Sequence, residues 1–323
     1  MSSSRFPFPR YPNGWFQVAY SDEIAKGAVQ HLQYFGQELV AFRGEDGVLR
    51  VLDAHCPHLG AHLAIGGRVV GNTIRCPFHG WRLDGDGQCV EVPYAKRIPP
   101  KAKTRAWPVS ERNGLIMVWH HAEDKAPVWQ IPELSEYGSP DWTEYTRLRW
   151  KIRTHNQEMA ENAVDRAHFR YVHGMLEVPE SKAEVEGAVL RVVSNGKMGT
   201  PRGAIDGQIA SISHGFGFSL TRFTGIIETL LVASVAPIDA DDVDVRFSFT
   251  VKKMGNDQVT RRVGNALIAD IEKQMGEDKP IWENKVFMPK PMLCDGDGPI
   301  PLFRRWCQQF YSPSADAPSA AVA

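Results

Sequence analysis

The chain has 323 residues, 43% of them hydrophobic and 23% charged, which is ample material for two globular domains. Its formal net charge of -1 gives no electrostatic reason to expect a nucleic acid or an anionic membrane as partner. No apolar run reaches the roughly 18 residues of a membrane span, and the start, MSSSRFPFPRYPNGW, lacks the apolar core of a signal peptide, so the expectation is a cytoplasmic protein with no transmembrane segment.

Residues 1–13, rich in Ser, Pro and Arg, read as an N-terminal arm. A β pattern runs over 14–121. Strands at 38–43 and 48–52 are joined by Gly44-Glu45-Asp46-Gly47, a hairpin signal. A further strand is expected at 68–75, a second hairpin at 81–92 around Asp84-Gly85-Asp86-Gly87, and a last strand at 115–120. Pro127, Pro132 and Pro140 mark 122–141 as a connector. The second domain, 142–311, opens on a helix over 156–167. Strands follow at 188–193, 208–213, 225–237 and 244–251. A helix is expected over 257–275, where Val263, Leu267 and Ile271 recur at four-residue spacing, and another over 304–311. The tail 312–323 is small and polar and is expected to be disordered. The fold class is α+β: a small all-β domain, then an α+β domain with an antiparallel sheet flanked by helices.

Five cysteines is an odd number, and Cys56, Cys76 and Cys89 fall within 34 residues. Clustered cysteines with histidines among them suggest metal before disulfides in a reducing compartment. Cys56-Pro57-His58 is followed, after seventeen residues, by Cys76-Pro77-Phe78-His79. Two thiolates and two imidazoles can hold zinc. They can also hold a [2Fe–2S] cluster, with Cys56 and Cys76 on one iron and His58 and His79 on the other. Each loop supplies one Cys and one His, which favours the cluster. His55 and His62 read as packing or surface residues, and Cys89 as a buried small apolar residue.

About 200 residues follow this motif, more than an electron carrier needs. Among them His168 and His173 stand five apart at a helix end and can converge on one metal. With a carboxylate they would make the 2-His-1-carboxylate face that suits Fe(II) and leaves positions open for O₂. Asp270, Glu277, Asp278 and Glu283 are the candidates for the third ligand. The alternative is a core histidine at His168 and a helix cap at His173.

The segments CPHLGAH and CPFHGW resemble the Rieske signature, and E-N-x-x-D-x-x-H-F-x-x-V-H over 161–173 resembles the iron-binding motif of Rieske non-heme iron oxygenases. Within that family the chain resembles the steroid-acting branch, the 3-ketosteroid 9α-hydroxylase oxygenases and cholesterol 7-desaturases. The resemblance implies a terminal oxygenase carrying a Rieske [2Fe–2S] cluster and a mononuclear Fe(II), and it selects Asp278 as third ligand, because Ile281-Trp282 follow it as in the family. Glu277 is the runner-up. Asn162 is implied near the iron without being a firm ligand. Asp165 is implied to join the cluster of one subunit to the iron of the next, accepting hydrogen bonds from a histidine on each side, in a homotrimer. The implied reaction uses O₂ and electrons from a separate NAD(P)H-dependent reductase, a ferredoxin or both, since no G-x-G-x-x-G follows a strand here. The implied substrate is an apolar polycyclic molecule, a steroid in the first instance, hydroxylated or desaturated. Aromatic O- or N-demethylation on the same machinery, and a non-enzymatic electron carrier, are the rival functions.

Overall fold

The computed structural model describes residues 5–200 and 203–312, so most of the expected tail and the first four residues of the arm lie outside it. The N-terminal strands are β1 (Gly14–Tyr20), β2 (Val29–Tyr34), β3 (Gln37–Arg43) and β4 (Leu49–Asp53), then the short β5 (Arg68–Val70), β6 (Thr73–Arg75), β7 (Arg82–Leu83) and β8 (Cys89–Glu91). They close with β9 (Ala106–Trp107), β10 (Val109–Arg112) and β11 (Leu115–His120). Among the described residues these make three small antiparallel sheets, ordered β1-β11-β10, β2-β3-β4-β9 and β5-β6-β7-β8. Both expected Gly-rich hairpins are present, β3 with β4 and β7 with β8. The single strand expected at 68–75 is two, folded back at Gly71-Asn72. Gly71 there has φ +61°, open to glycine and strained for a β-branched residue.

The stretch 122–141 carries no helix or strand, yet it is pinned down. Trp15 and Trp119 donate their indole N–H groups to the carbonyls of Trp129 and Lys125, each at 2.8 Å, and Ile131 is fully buried. Beyond it lie β12 (Thr146–Ile152), β13 (Glu180–Glu186), β14 (Val189–Thr200), β15 (Gly203–His214), β16 (Ser219–Thr224), β17 (Thr229–Pro237) and β18 (Val243–Val251). Among the described residues these form one antiparallel sheet in the order β12-β18-β17-β16-β15-β14-β13. The sequence reading missed β12, β13 and β16. The first two are edge strands whose Lys, Arg and Glu side chains face solvent, so they bury little and show no apolar run.

Two helices differ from expectation. The helix expected at 156–167 is broken into α1 (Asn156–Glu161) and α2 (Ala167–Tyr171). Asp165 causes part of the break, because its carboxylate caps α2 by accepting from the N–H of Ala167 at 3.1 Å. The helix expected to end at Met275 runs on as α3 (Asp257–Asn284), through Pro280. That continuation keeps Asp278 and Trp282 on the buried face with Ile271 and Met275. The last helix, α4 (Ile300–Cys307), starts four residues before the expected one.

Strand alternation splits the large sheet into two working faces. Leu220, Leu230 and Val232 pack against Trp15 and Trp119 of the N-terminal domain. Leu231, Ala233 and Phe249 point the other way, toward Ile268 and Ile271 of α3. A buried ionic knot adds polar bonds across the first face: Asp244 accepts from Tyr34 at 2.6 Å, Arg149 at 2.7 Å and Arg246 at 2.9 Å.

Candidate metal centres

The two Cys-His loops fold alike. The N–H of Cys56 reaches the carbonyl of Ala61, and that of Cys76 reaches Trp81, while Gly60 and Gly80 donate back to the carbonyls of Cys56 and Cys76. Both glycines sit at φ +75°, the left-handed turn that lets each loop close on itself. The result sets two buried thiols together in one apolar cluster with Trp81. Burial pushes the Cys56 thiol up to about 11, so this thiol stays protonated at neutral pH unless a cation binds it. The rings of His58 and His79 lie 4.8 Å apart, His58 stacks on Trp81 at 4.5 Å, and the Nδ1 of His79 is buried without a hydrogen-bond partner. Two facing thiols and an orphaned imidazole nitrogen are a donor set that fits a Cys₂His₂ cluster. Cys89 is buried in the same apolar cluster, as expected of a small apolar residue. His55 and His62 instead gather with His31 around Glu38, at 3.5–3.9 Å.

The second constellation forms where α2 ends and α3 crosses it. One ligand atom each from His168, His173 and Asp278 lie within 4.8 Å of one another. The Nδ1 of His168 is engaged by the backbone carbonyl of Asp165, which leaves Nε2 for a metal. The Nδ1 of His173 lies 3.0 Å from Glu277, and its Nε2 lies 3.3 Å from Asp278. Burial lowers the affinity of His168 for a proton. Burial acts the same way on His173, but Asp278 and Glu277 outweigh it and raise its pKa. A cation at this point would take the place of that proton. Asn162 donates to Asp278 at 3.2 Å, and its carbonyl oxygen lies 3.4 Å from the Trp282 indole N–H. Two imidazoles with oriented tautomers and a hydrogen-bonded carboxylate fit a mononuclear 2-His-1-carboxylate iron.

Structure separates the four carboxylate candidates. Asp278 faces both histidines, and Glu277 reaches only the far nitrogen of His173, a role the sequence reading did not foresee. Asp270 bonds Gln274 at 2.8 Å, and Glu283 turns to Arg153. The carboxylate of Asp165 caps α2, accepting from the backbone N–H groups of Ala167 and His168, and it is the Asp165 carbonyl that meets the His168 ring.

The triad opens into a cavity of about 470 Å³ between the large sheet and α1, α2 and α3. From Asp278 to Leu267 it follows α3 for eleven residues, or about 16 Å at the helical rise. Met159, Phe169, Phe216, Phe223, Leu231 and Phe247 give it apolar walls. Phe218 and Leu230 of the same sheet region lie outside it and pack against the N-terminal domain. A polar cleft of about 520 Å³ beside Glu177 and Asp206 does not include the triad.

Family profiles match the Rieske [2Fe-2S] domain over residues 14–106 and the 3-ketosteroid 9alpha-hydroxylase C-terminal domain over 118–311. A probable 3-ketosteroid-9-alpha-monooxygenase oxygenase component of Rhodococcus rhodochrous is 33% identical over 94% of this chain and 81% of its own length. A cholesterol 7-desaturase of Ciona intestinalis is 32% identical over 94% of this chain and 69% of its own. Among solved structures, dicamba monooxygenase bound to 3,6-dichlorosalicylic acid superposes with a TM-score of 0.75 at 20% identity, covering 93% of this chain and 97% of that one. The Pseudomonas putida CBB5 NdmA QL mutant with caffeine gives 0.75 at 22%, covering 93% and 90%. At these identities the two structures speak for the fold. Among the described residues no helix is long and apolar enough to cross a membrane.

Proposed function

The chain belongs to the Rieske oxygenases of the 3-ketosteroid 9α-hydroxylase family, and on that premise we propose that it is a terminal oxygenase oxidising an apolar polycyclic substrate of the steroid class. The observation that carries the reading is the convergence of His168, His173 and Asp278 at one end of a long apolar cavity, in a chain that also bears the twin Cys-His loops. Cys56, Cys76, His58 and His79 would hold the cluster, and His168, His173 and Asp278 the iron. When bound, these groups supply one-electron transfer and O₂ activation, with electrons from a separate reductase or ferredoxin.

The protein's own work is positioning. Glu277 and the Asp165 carbonyl fix the two imidazole tautomers, and Asn162 orients the Asp278 carboxylate. The apolar walls exclude water and lay the substrate along α3. Steroid hydroxylation and desaturation are the activities named for the relatives, and the cavity's length and lining support such a substrate. Asp165 remains the candidate bridge between subunits of a trimer. Large apolar side chains stand exposed on and near the cluster loops (Leu59, Phe78, Tyr94), on α2 (Tyr171) and in the segment after α3 (Met288, Met292), the kind of surface a head-to-tail contact would bury. We place the domain division in the strap 122–141.

Iron and sulfide analysis of anaerobically purified protein, with product analysis after adding a reductase, tests the function. The expected result is three irons and two sulfides per chain, a Rieske-type EPR signal on reduction, and an oxidised steroid. Two irons per chain with no turnover means an electron carrier, and zinc alone removes the reading. A demethylated aromatic product moves the chain to the other branch.

A further inference from the structure

Three histidines and a glutamate that neither metal centre uses meet on the surface of the N-terminal domain. In the β2–β3 hairpin His31 stands opposite Val40, which makes Glu38 its diagonal neighbour on the same face. His55 and His62 face each other in an isolated antiparallel bridge at the stem of the first Cys-His loop. That stem is tied to β3, because the N–H of Ala54 donates to the Glu38 carbonyl at 3.1 Å. It is closed by the N–H of Leu63, which donates to the Ala54 carbonyl at 2.7 Å. Two strands and both ends of one loop thus bring these four side chains to a single point.

Each imidazole presents its Nε2 to the Glu38 carboxylate. His31 lies 3.6 Å and His62 3.9 Å from one oxygen, and His55 lies 3.5 Å from the other. These separations are too long for good hydrogen bonds. They are near the spacing of ligand atoms around tetrahedral zinc, about 3.4 Å for bonds of about 2.0–2.1 Å. One ligand atom each from His31, Glu38 and His62 lie within 4.8 Å of one another. The rings of His31 and His55 lie 4.8 and 5.2 Å from the ring of His62, both edge to face.

His62 is the least exposed of the four, and its Nε2 is buried with no hydrogen-bond partner. Its Nδ1 accepts the Ala64 N–H at 3.1 Å. Coordination through Nε2 puts the ring proton on Nδ1 and gives up that one backbone bond. In exchange it provides a partner for a buried nitrogen and joins the imidazoles to the carboxylate. Imidazole-rich donor sets suit zinc and its neighbours, not magnesium or calcium. His31, Glu38 and His55 are exposed, so an ion can enter from solvent.

We propose that His31, Glu38 and His62, joined by His55, bind one divalent ion of the zinc type, and that the ion clamps the stem of the first Cys-His loop. The site shares no residue with either iron centre. Zinc has no redox chemistry, so the ion carries no electrons. It ties β2 and β3 to both ends of the loop that bears Cys56 and His58, and so slows loss of the cluster.

The experiment titrates zinc into the iron-loaded holoprotein by calorimetry, counts metals after gel filtration, and follows bleaching of the cluster on heating with and without zinc. One zinc per chain is expected, with iron and sulfide contents unchanged and slower bleaching. His31→Ala and His62→Ala should each weaken zinc binding by at least about tenfold, since loss of a ligand costs no less than loss of a supporting partner. Both should abolish the effect on bleaching, while His121→Ala, elsewhere on the surface, should change neither. An unchanged Rieske EPR signal checks the fold, and His31, exposed on β2, is the substitution least able to disturb it. Zinc that fails to bind, or that binds only by displacing iron, overturns the proposal. So does binding that both substitutions leave intact, or zinc bound at this site with no effect on bleaching.

Discussion

The Nδ1 of His173 lies 3.0 Å from a carboxylate oxygen of Glu277, on the opposite side of the ring from Asp278. A carboxylate there keeps the proton on Nδ1 and turns the Nε2 lone pair toward the metal position. Glu277→Gln should weaken iron retention by about 10–100-fold, the usual effect of losing such a partner, with the cluster spectrum unchanged. Dialysis of the two proteins against a graded chelator measures this. Identical iron affinities would remove the orienting role.

Asp278 should behave differently from its neighbour. Asp278→Ala takes away a ligand, so the chain should keep its cluster, lose the mononuclear iron and turn over no substrate. Glu277→Ala should leave part of the iron and part of the activity. Metal analysis beside single-turnover product counts distinguishes them, and the reverse pattern would make Glu277 the ligand.

Asp165 is the test of assembly. Asp165→Asn keeps the shape and the cap on α2 but removes the charge, so both metals and the trimer should persist while turnover falls. Cluster-less His79→Ala chains mixed with iron-less His168→Ala chains should recover partial activity if electrons cross between subunits. A fully active monomer, or mixed trimers shown by mass spectrometry to be inactive, would falsify the bridging role.

Acid should destabilise the fold through two buried histidines. Burial depresses His120 and His155 to about 4 from their ordinary 6.5. Between these values the unfolded chain binds protons that the folded chain does not. The stabilisation is therefore complete above pH 6.5 and is lost as pH falls toward 4, by up to about 3 kcal/mol for each histidine. Melting temperature should fall from pH 7 to 4.5. His120→Phe should be less stable at pH 7, having lost its bond to the Pro12 carbonyl, but should fall less steeply with acid. Parallel slopes in the two proteins would rule out His120 as a contributor.

The ionic knot between the domains gives a stability test far from either metal position. Asp244→Ala leaves the Arg246 guanidinium, with its side chain 4% exposed, without its carboxylate. The cost should be about 3–5 kcal/mol, as for breaking other buried pairs. Chemical unfolding measures it, and a loss under 1 kcal/mol would mean that water or Glu23 takes over.

The sequence by itself determined the elements whose chemistry is local. The twin loops could be read because Cys, His and the closing Gly lie within six residues of one another, and a short loop admits few geometries. The spacing of His168 and His173 across a helix end could be read for the same reason. Resemblance to the family's Ile-Trp pattern picked Asp278 from four carboxylates. Tertiary structure decided what depends on distant segments. It broke the helix expected at 156–167 by capping at Asp165, and it carried α3 beyond Met275 so that Glu277 and Asp278 meet His173 from a hundred residues away. It also put Ser213 and Ser219 side by side on the cavity floor. In sequence the two serines belong to separate strands, and only the register of β15 with β16 sets them opposite each other, because side-chain direction in a sheet is fixed by pairing and not by residue type.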